Sequence, residues 1–361
     1  VGDGQDLLLT FANNMVLINP TTGRPVELRD ANGQVRLDEQ GNPRLWNVTA
    51  PGSSQGFYAS PVQADDLTTF VMGYARKMFR VDMINGVLFN STTGVDLPGH
   101  IIATPVIHGD LVYIGFAERN LVAYNVDDLR ADVLVEAWTL ETEHGIWAAP
   151  VLVEGVLYVP TMDHILYALN AETGEVLWSA DLGGALSSSP VYHEGRLYIG
   201  SLGRKVFEID AANGQILSEY ATADWVWGSP AIVDNTLYVA DMGGHVYALG
   251  INRLTQRWSV RPSNMGIRAA PIVEQGLVIV ASRDANVYWL NAEDGSAITD
   301  AEGNPLRRQL AGEILADMTV VHPSETLDIP QPMLIVSTMN NAELLVAFTL
   351  STGQRQWVYG Q

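Results

Sequence analysis

The sequence predicts an all-β protein: an eight-bladed β-propeller of four-stranded antiparallel blades, the first blade lacking its innermost strand. Three observations carry this. A small-residue pair followed by proline and a valine-like run recurs as "ASPV" at Ala59, "ATPV" at Ala103, "AAPV" at Ala148, "SSPV" at Ser188, "GSPA" at Gly228 and "AAPI" at Ala269. The prolines of these copies stand about 40 to 45 residues apart, the period of a four-stranded blade, and "ADMTVV" at Ala316 is a degenerate further copy. Short β-favouring runs separated by Gly and Asn turn chemistry fill each period.

Within one unit, "SSPVYHEGRLYIGSLGRKVFEIDAANGQIL", the runs Val191–Tyr192, Leu197–Ile199, Val206–Ile209 and Ile216–Leu217 read as strands A to D of a meander. B strands begin at Leu7, Thr68, Leu111, Leu157, Leu197, Leu237, Leu277 and Met333. Only seven A strands accompany these B strands, because the first unit enters at B. The blades span approximately 1–50, 56–92, 101–140, 146–182, 186–220, 226–260, 267–310 and 314–361, one propeller domain over 1–361. Such a sheet has two apolar faces and must pack them against its neighbours.

The motif "ALNAETGEVLW", Ala168 to Trp178, closes this logic. Thr173-Gly174 turns from C to D, with glycine accepting the positive φ that other residues resist. Trp178 then ends strand D as a large side chain available to the adjacent blade. Trp46, Trp138, Trp258 and Trp357 hold corresponding places, whereas Asn90 and Ser218 replace the tryptophan in their units. The first and seventh units carry insertions with the related strings "EQGNPRLW" and "AEGNPLRR".

This motif resembles the tryptophan-docking repeat of the pyrroloquinoline-quinone (PQQ)-type propellers, a family with quinoprotein dehydrogenases and a non-enzymatic, BamB-like branch. The resemblance covers essentially the whole chain. It implies, for the dehydrogenases, a quinone held by a vicinal cysteine pair and a calcium bound by Glu, Asn and Asp. The sequence has no cysteine, so that signature and every thiolate site are absent. The seven histidines show neither H-x-H nor H-E-x-x-H spacing, and no G-x-S-x-G elbow, Walker loop or EF-hand run is present. No catalytic residue, metal ligand or cofactor is assigned.

Composition narrows the partners. With 361 residues and 47% hydrophobic content the chain has ample material for a large core. No run of about 18 apolar residues spans a bilayer. The formal net charge of -21 repels phosphate backbones and anionic headgroups, which argues against nucleic acid and membrane surfaces as direct partners; no nucleic acid and no direct membrane insertion by this chain are expected. The chain opens on Val1, which together with the resemblance points to a removed N-terminal segment and to an extracytoplasmic, periplasmic or cell-surface setting.

The positions just before each A strand line one mouth of a propeller. They are Tyr58, Ile102, Trp147, Ser187, Trp227, Arg268 and Leu315, followed by Asp317. Aromatic and arginine side chains supply large contact area at low entropic cost, so this rim is the candidate binding surface; the same side chains would equally serve as channel packing. The expectation is a non-catalytic protein-binding or scaffolding propeller of the cell envelope with envelope or membrane-associated partners. Its alternative is a PQQ- or metal-dependent dehydrogenase with a cysteine-free site.

Overall fold

The computed structural model describes residues 6–30, 32–51, 56–65, 68–89, 94–323 and 329–360. The architecture is an all-β, eight-bladed propeller of antiparallel blades; among the described residues each blade has four strands, except a three-stranded first blade and a second blade whose outer strand is split into two short ones. The chain divides into two compact units. One comprises Val1–Pro150 with Ala171–Gly174 and Thr326–Asp328; the other comprises Val151–Asn170, Glu175–Glu325 and Ile329–Gln361.

The first unit opens with blade one, strands Leu7–Phe11, Asn14–Ile18 and Asn47–Thr49. Blade two pairs Val62–Gln63, Thr68–Gly73 and Lys77–Asp82, and two short strands, Val87–Leu88 and Val95–Asp96, share its outer edge against Lys77–Asp82. Blade three runs Val106–His108, Leu111–Gly115, Leu121–Asn125 and Glu136–Leu140. Its C–D connection is a short helix, Val126–Arg130, in place of the expected turn. Asn125 starts it by accepting the Asp127 N–H, the usual means of satisfying a free helix donor.

The second unit carries blades four to eight. Blade four, with strands Val151–Val153, Val156–Pro160, Ile165–Asn170 and Val176–Asp181, sets the pattern for the others. Its B and C strands are apolar runs hydrogen-bonded on both sides, and such strands are buried on both faces; Leu277–Ala281 in blade seven and Leu345–Thr349 in blade eight are buried throughout. Outer strands such as Ile216–Ala221 alternate instead between half-buried and exposed residues. Neighbouring blades share cores: Tyr158, Leu166 and Ala168 of blade four pack with Leu197, Ile199, Phe207 and Ile209 of blade five.

The seams between blades explain the tryptophan motif. Trp138, Trp178 and Trp258 stand directly across the ladder from Ala123, Ala168 and Ala248. Each indole N–H donates to the carbonyl that opens the following C–D turn, Ala171 at 3.1 Å, Ala211 at 3.0 Å and Ala292 at 3.0 Å. The turn glycines Gly174, Gly214 and Gly295 have φ of 73°, 75° and 74°, and a Cβ on them would lie 2.6, 2.5 and 2.7 Å from a ring carbon. Glycine is therefore required twice over, for its backbone conformation and for the indole's approach. Trp46 docks likewise on Met83 O at 2.8 Å. Trp357 faces Ala347 in the ladder of blade eight.

Where the tryptophan is missing, a charged residue stands in place of the alanine that would face it. Ser218 faces Glu208 across the ladder of blade five. The buried Glu208 carboxylate accepts from Ser218 Oγ at 2.5 Å, from Arg253 N in the next blade's turn at 2.8 Å, and from the Arg196 guanidinium. That turn has no glycine under an indole; Asn252, Arg253 and Leu254 all take positive φ. At the corresponding register of blade two, Arg80 forks onto Asp132 of blade three at 2.8 and 3.1 Å. Asn90 lies outside the described residues.

The two insertions form arms closed by rings of backbone hydrogen bonds. In blade one, Leu17 N donates to Trp46 O, Trp46 N to Val26 O and Val26 N to Leu17 O; farther out, Leu28 N donates to Arg44 O, Arg44 N to Arg36 O and Arg36 N to Leu28 O. Blade seven repeats one such triangle through Trp289, Leu306 and Ile298. Asp30, Asp38 and Asp300 tie the loops, each accepting two backbone N–H groups through one carboxylate oxygen.

Candidate functional site

The loops from strand D to the next strand A end in an extended stretch before proline, or before Met318 in blade eight, and side chains there alternate in direction. Ile101, Ile146, Leu186, Val226, Ile267 and Ile314 point inward and are fully buried. The next residues are therefore turned the other way. These are the rim positions Ile102, Trp147, Ser187, Trp227, Arg268 and Leu315, and they lie several residues ahead of the A strands rather than immediately before them: Trp147 precedes a strand that begins at Val151.

Their exposure is uneven. Tyr58 is 65% exposed and Trp147 is 36% exposed. Ile102, Trp227, Arg268 and Leu315 are half-buried, and Ser187 is buried. Asp317 is exposed, yet its Oδ1 accepts the Ala270 N–H at 2.6 Å. Thr104 Oγ1 holds Ser60 N at 3.1 Å and Ser229 Oγ holds Ser189 N at 3.1 Å in the same manner. Asp317 thus belongs to a series of latches joining successive loops, a role its sequence position did not reveal.

In the first unit, the rim continues into residues that sequence reasoning missed. Tyr58 meets Tyr74 edge-on at 5.2 Å between ring centroids, and Tyr74 stacks on His100 at 4.6 Å. His100 pairs through Nδ1 with Glu118, whose Oε2 also accepts the His100 N–H at 3.1 Å. Burial opposes the charged carboxylate, but the bonds from the His100 ring and from backbone N–H groups outweigh it and hold Glu118 below the usual range. Beyond the same turn, Trp147 Nε1 donates to Ala117 O at 3.1 Å.

In the second unit, the Arg268 guanidinium lies over the Trp227 ring, 4.5 Å from its centroid. Trp225 and Met265, in the loops that carry these two residues, are each 47% exposed. The loops are fixed from below by two carboxylates, the buried Asp241 and the half-buried Asp284. Asp241 accepts from Asp224 N at 3.1 Å, Gly243 N at 2.9 Å, His245 N at 2.9 Å and Tyr247 OH at 2.7 Å. Asp284 accepts from Ser263 Oγ at 2.7 Å and Tyr288 OH at 2.6 Å.

Burial works against charge on Asp284, yet these hydroxyls outweigh it and lower its pKa. Burial, then the Asp284 partner, pushes the Tyr288 phenol up to about 12. At neutral pH Asp284 is ionised and Tyr288 protonated, and the pair serves as a loop anchor. Among the described residues, no group of three or more His, Asp or Glu side chains is gathered to hold a metal ion.

The missed residues were reachable by strand parity. In an antiparallel meander, B–C turns share an end with D–A loops, so Tyr74 and Glu118 had to lie beside the rim.

Residues 131–223 and 206–361 match the family described as outer membrane protein assembly factor BamB. The chain belongs to that family. The crystal structure of BamB from Moraxella catarrhalis shares the fold at 15% identity, with a TM-score of 0.65 over 96% of this chain and 94% of that one. The computationally designed Ika8 protein has the fold too, at 14% identity and a TM-score of 0.59 over 92% of each chain. Tetrathionate hydrolase from Acidithiobacillus ferrooxidans is 29% identical over 168 residues, 41% of this chain. The chain spans about a third of that relative's length, 33%.

Proposed function

We propose that this protein is a non-catalytic, protein-binding propeller of the cell envelope, acting outside the cytoplasm, and that the rim side chains contact the partner. The observation carrying this reading is the exposed aromatic side chains on loops otherwise tied down: Tyr58 and Trp147 in the first unit, Trp225 beside the Trp227–Arg268 pair in the second. Exposed aromatics of this kind mark interaction sites. Membership of the BamB family supports an envelope assembly role, with partners that are other proteins. The charge of -21 favours neutral or basic partner faces.

The test is a pull-down from the native organism with wild type and the Trp147→Ala, Trp227→Ala, Arg268→Ala triple variant. Loss of partners from the variant is expected. Equal recovery by both would assign the rim to packing and move the interface to the outer loops.

The likeness to tetrathionate hydrolase favours one second reading, a hydrolase on the same fold. Purified protein incubated with tetrathionate decides it, and alcohols or sugars with added quinone test the dehydrogenase alternative. Turnover in either assay refutes the non-catalytic reading.

A further inference from the structure

At the opposite end of the strands from the rim, blades four and five of the second unit leave a groove of about 240 Å³. It is lined by Glu154 of the A–B turn of blade four, Leu177 and Trp178 of its outer strand, and Tyr192 and Ala211 of blade five. The floor is apolar and the lip is acidic: Glu154 borders the groove, and the neighbouring A–B turn carries the exposed Glu194. His193, which lies 3.9 Å from Glu194, is the basic group beside it.

The same chain shows what such a seam accepts. Blades six and seven repeat this seam: Trp258 occupies the place of Trp178 across from alanine. The residue before it is Arg257 where blade four has Leu177. Arg257 Nη2 donates at 2.8 Å to Asn235 O, a carbonyl of the A–B turn that also accepts Ile251 N at 3.2 Å. The equivalent carbonyl in blade four belongs to Gly155. In blade six an arginine of the chain bonds to the A–B turn beside the docking tryptophan; in blade four leucine takes that place and lines the groove.

We propose that the groove between blades four and five binds an arginine side chain presented by a partner protein. Its guanidinium bonds the Gly155 carbonyl and the Glu154 carboxylate, and its aliphatic stem lies on Leu177, Trp178 and Tyr192. Arginine suits this arrangement because its stem is apolar while its planar head donates in a fork. The site is distinct from the rim and stands or falls independently of the function proposed for it.

The test uses the full chain and the acetylated, amidated peptide Gly-Leu-Arg-Leu-Gly, with lysine and citrulline counterparts, followed by amide chemical-shift titration. The arginine peptide should bind about tenfold more tightly than the neutral citrulline peptide, the ratio expected for a charge-assisted hydrogen bond. Leu177→Arg, which copies blade six, should abolish binding while keeping the wild-type urea midpoint, and Glu154→Gln should weaken it about tenfold. The rim triple variant should titrate like wild type. Equal binding of the arginine and citrulline peptides, undiminished binding to Leu177→Arg, or no saturable shifts around the groove would each overturn the proposal.

Discussion

Removing Trp178 and crowding Gly214 are two perturbations of one contact, so their costs should not add. Trp178 is half-buried, which places Trp178→Ala near the low end for a large aromatic, about 3 kcal/mol. Loss of its hydrogen bond adds little, because Ala211 O keeps the Tyr158 hydroxyl at 3.2 Å. Gly214→Ala meets two penalties in the wild-type chain. A left-handed φ of 75° costs an alanine about 1 to 2 kcal/mol. The new Cβ, 2.5 Å from Trp178 Cε3, adds an overpacking cost of about 1 to 3 kcal/mol. With Trp178 already replaced by alanine, only the backbone penalty remains. A double-mutant cycle read by urea denaturation should therefore give a coupling of about 1 to 3 kcal/mol, the double variant being more stable than the sum predicts. If Gly214→Ala costs the same in both backgrounds, the ring does not rest on this glycine and the seam argument fails.

Two further predictions use the other seams. Trp289 sits on a C strand, is fully buried and donates to Leu350 O at 2.7 Å, so Trp289→Ala should cost more than Trp178→Ala, about 5 kcal/mol in the same urea assay. Glu208→Gln should destabilise by about 1 to 3 kcal/mol at neutral pH. Burial works to raise the Glu208 pKa, but bonds from Ser218, Arg253 and Arg196 outweigh it and lower it. A lowered folded-state pKa gives stability that is complete above the unfolded value of about 4.3 and fades as pH falls through the folded one. The gap between wild type and variant should narrow below about pH 4; a gap constant down to pH 3 would refute the assignment of the seam to this carboxylate.

The blades were legible because their strands depend on local pattern: the proline period, the apolar runs and the glycine turns all act within a few residues. The seams were legible only where tryptophan marks them. Trp289 docks from strand C rather than strand D, so its position broke the pattern that identified Trp138, Trp178 and Trp258. Nothing near Glu208 or Arg80 in sequence marks its role, because Arg253 and Asp132, to which each is bonded, lie in the next blade. The candidate rim positions follow from strand order alone, but the exposure of each residue depends on neighbours distant in sequence: Ser187 is buried where Tyr58 is open, and the Tyr74, His100 and Glu118 cluster needs three loops at once.

The triangular arms bear on how this chain can change length. An open β-hairpin added to a blade would present unpaired edge groups and invite unwanted pairing. Here the backbone donors and acceptors of each triangle are spent on one another, and each loop is tied by its own aspartate. In blade one Leu28, Arg36 and Arg44 recur at eight-residue spacing to make the outer triangle, while blade seven stops after a single one. Such an arm is extensible: a duplicated eight-residue segment brings its own loop and its own bonding, and the blade that bears it need not be redesigned. Loop length in this architecture is thus open to evolution, and to engineering, in discrete self-contained steps.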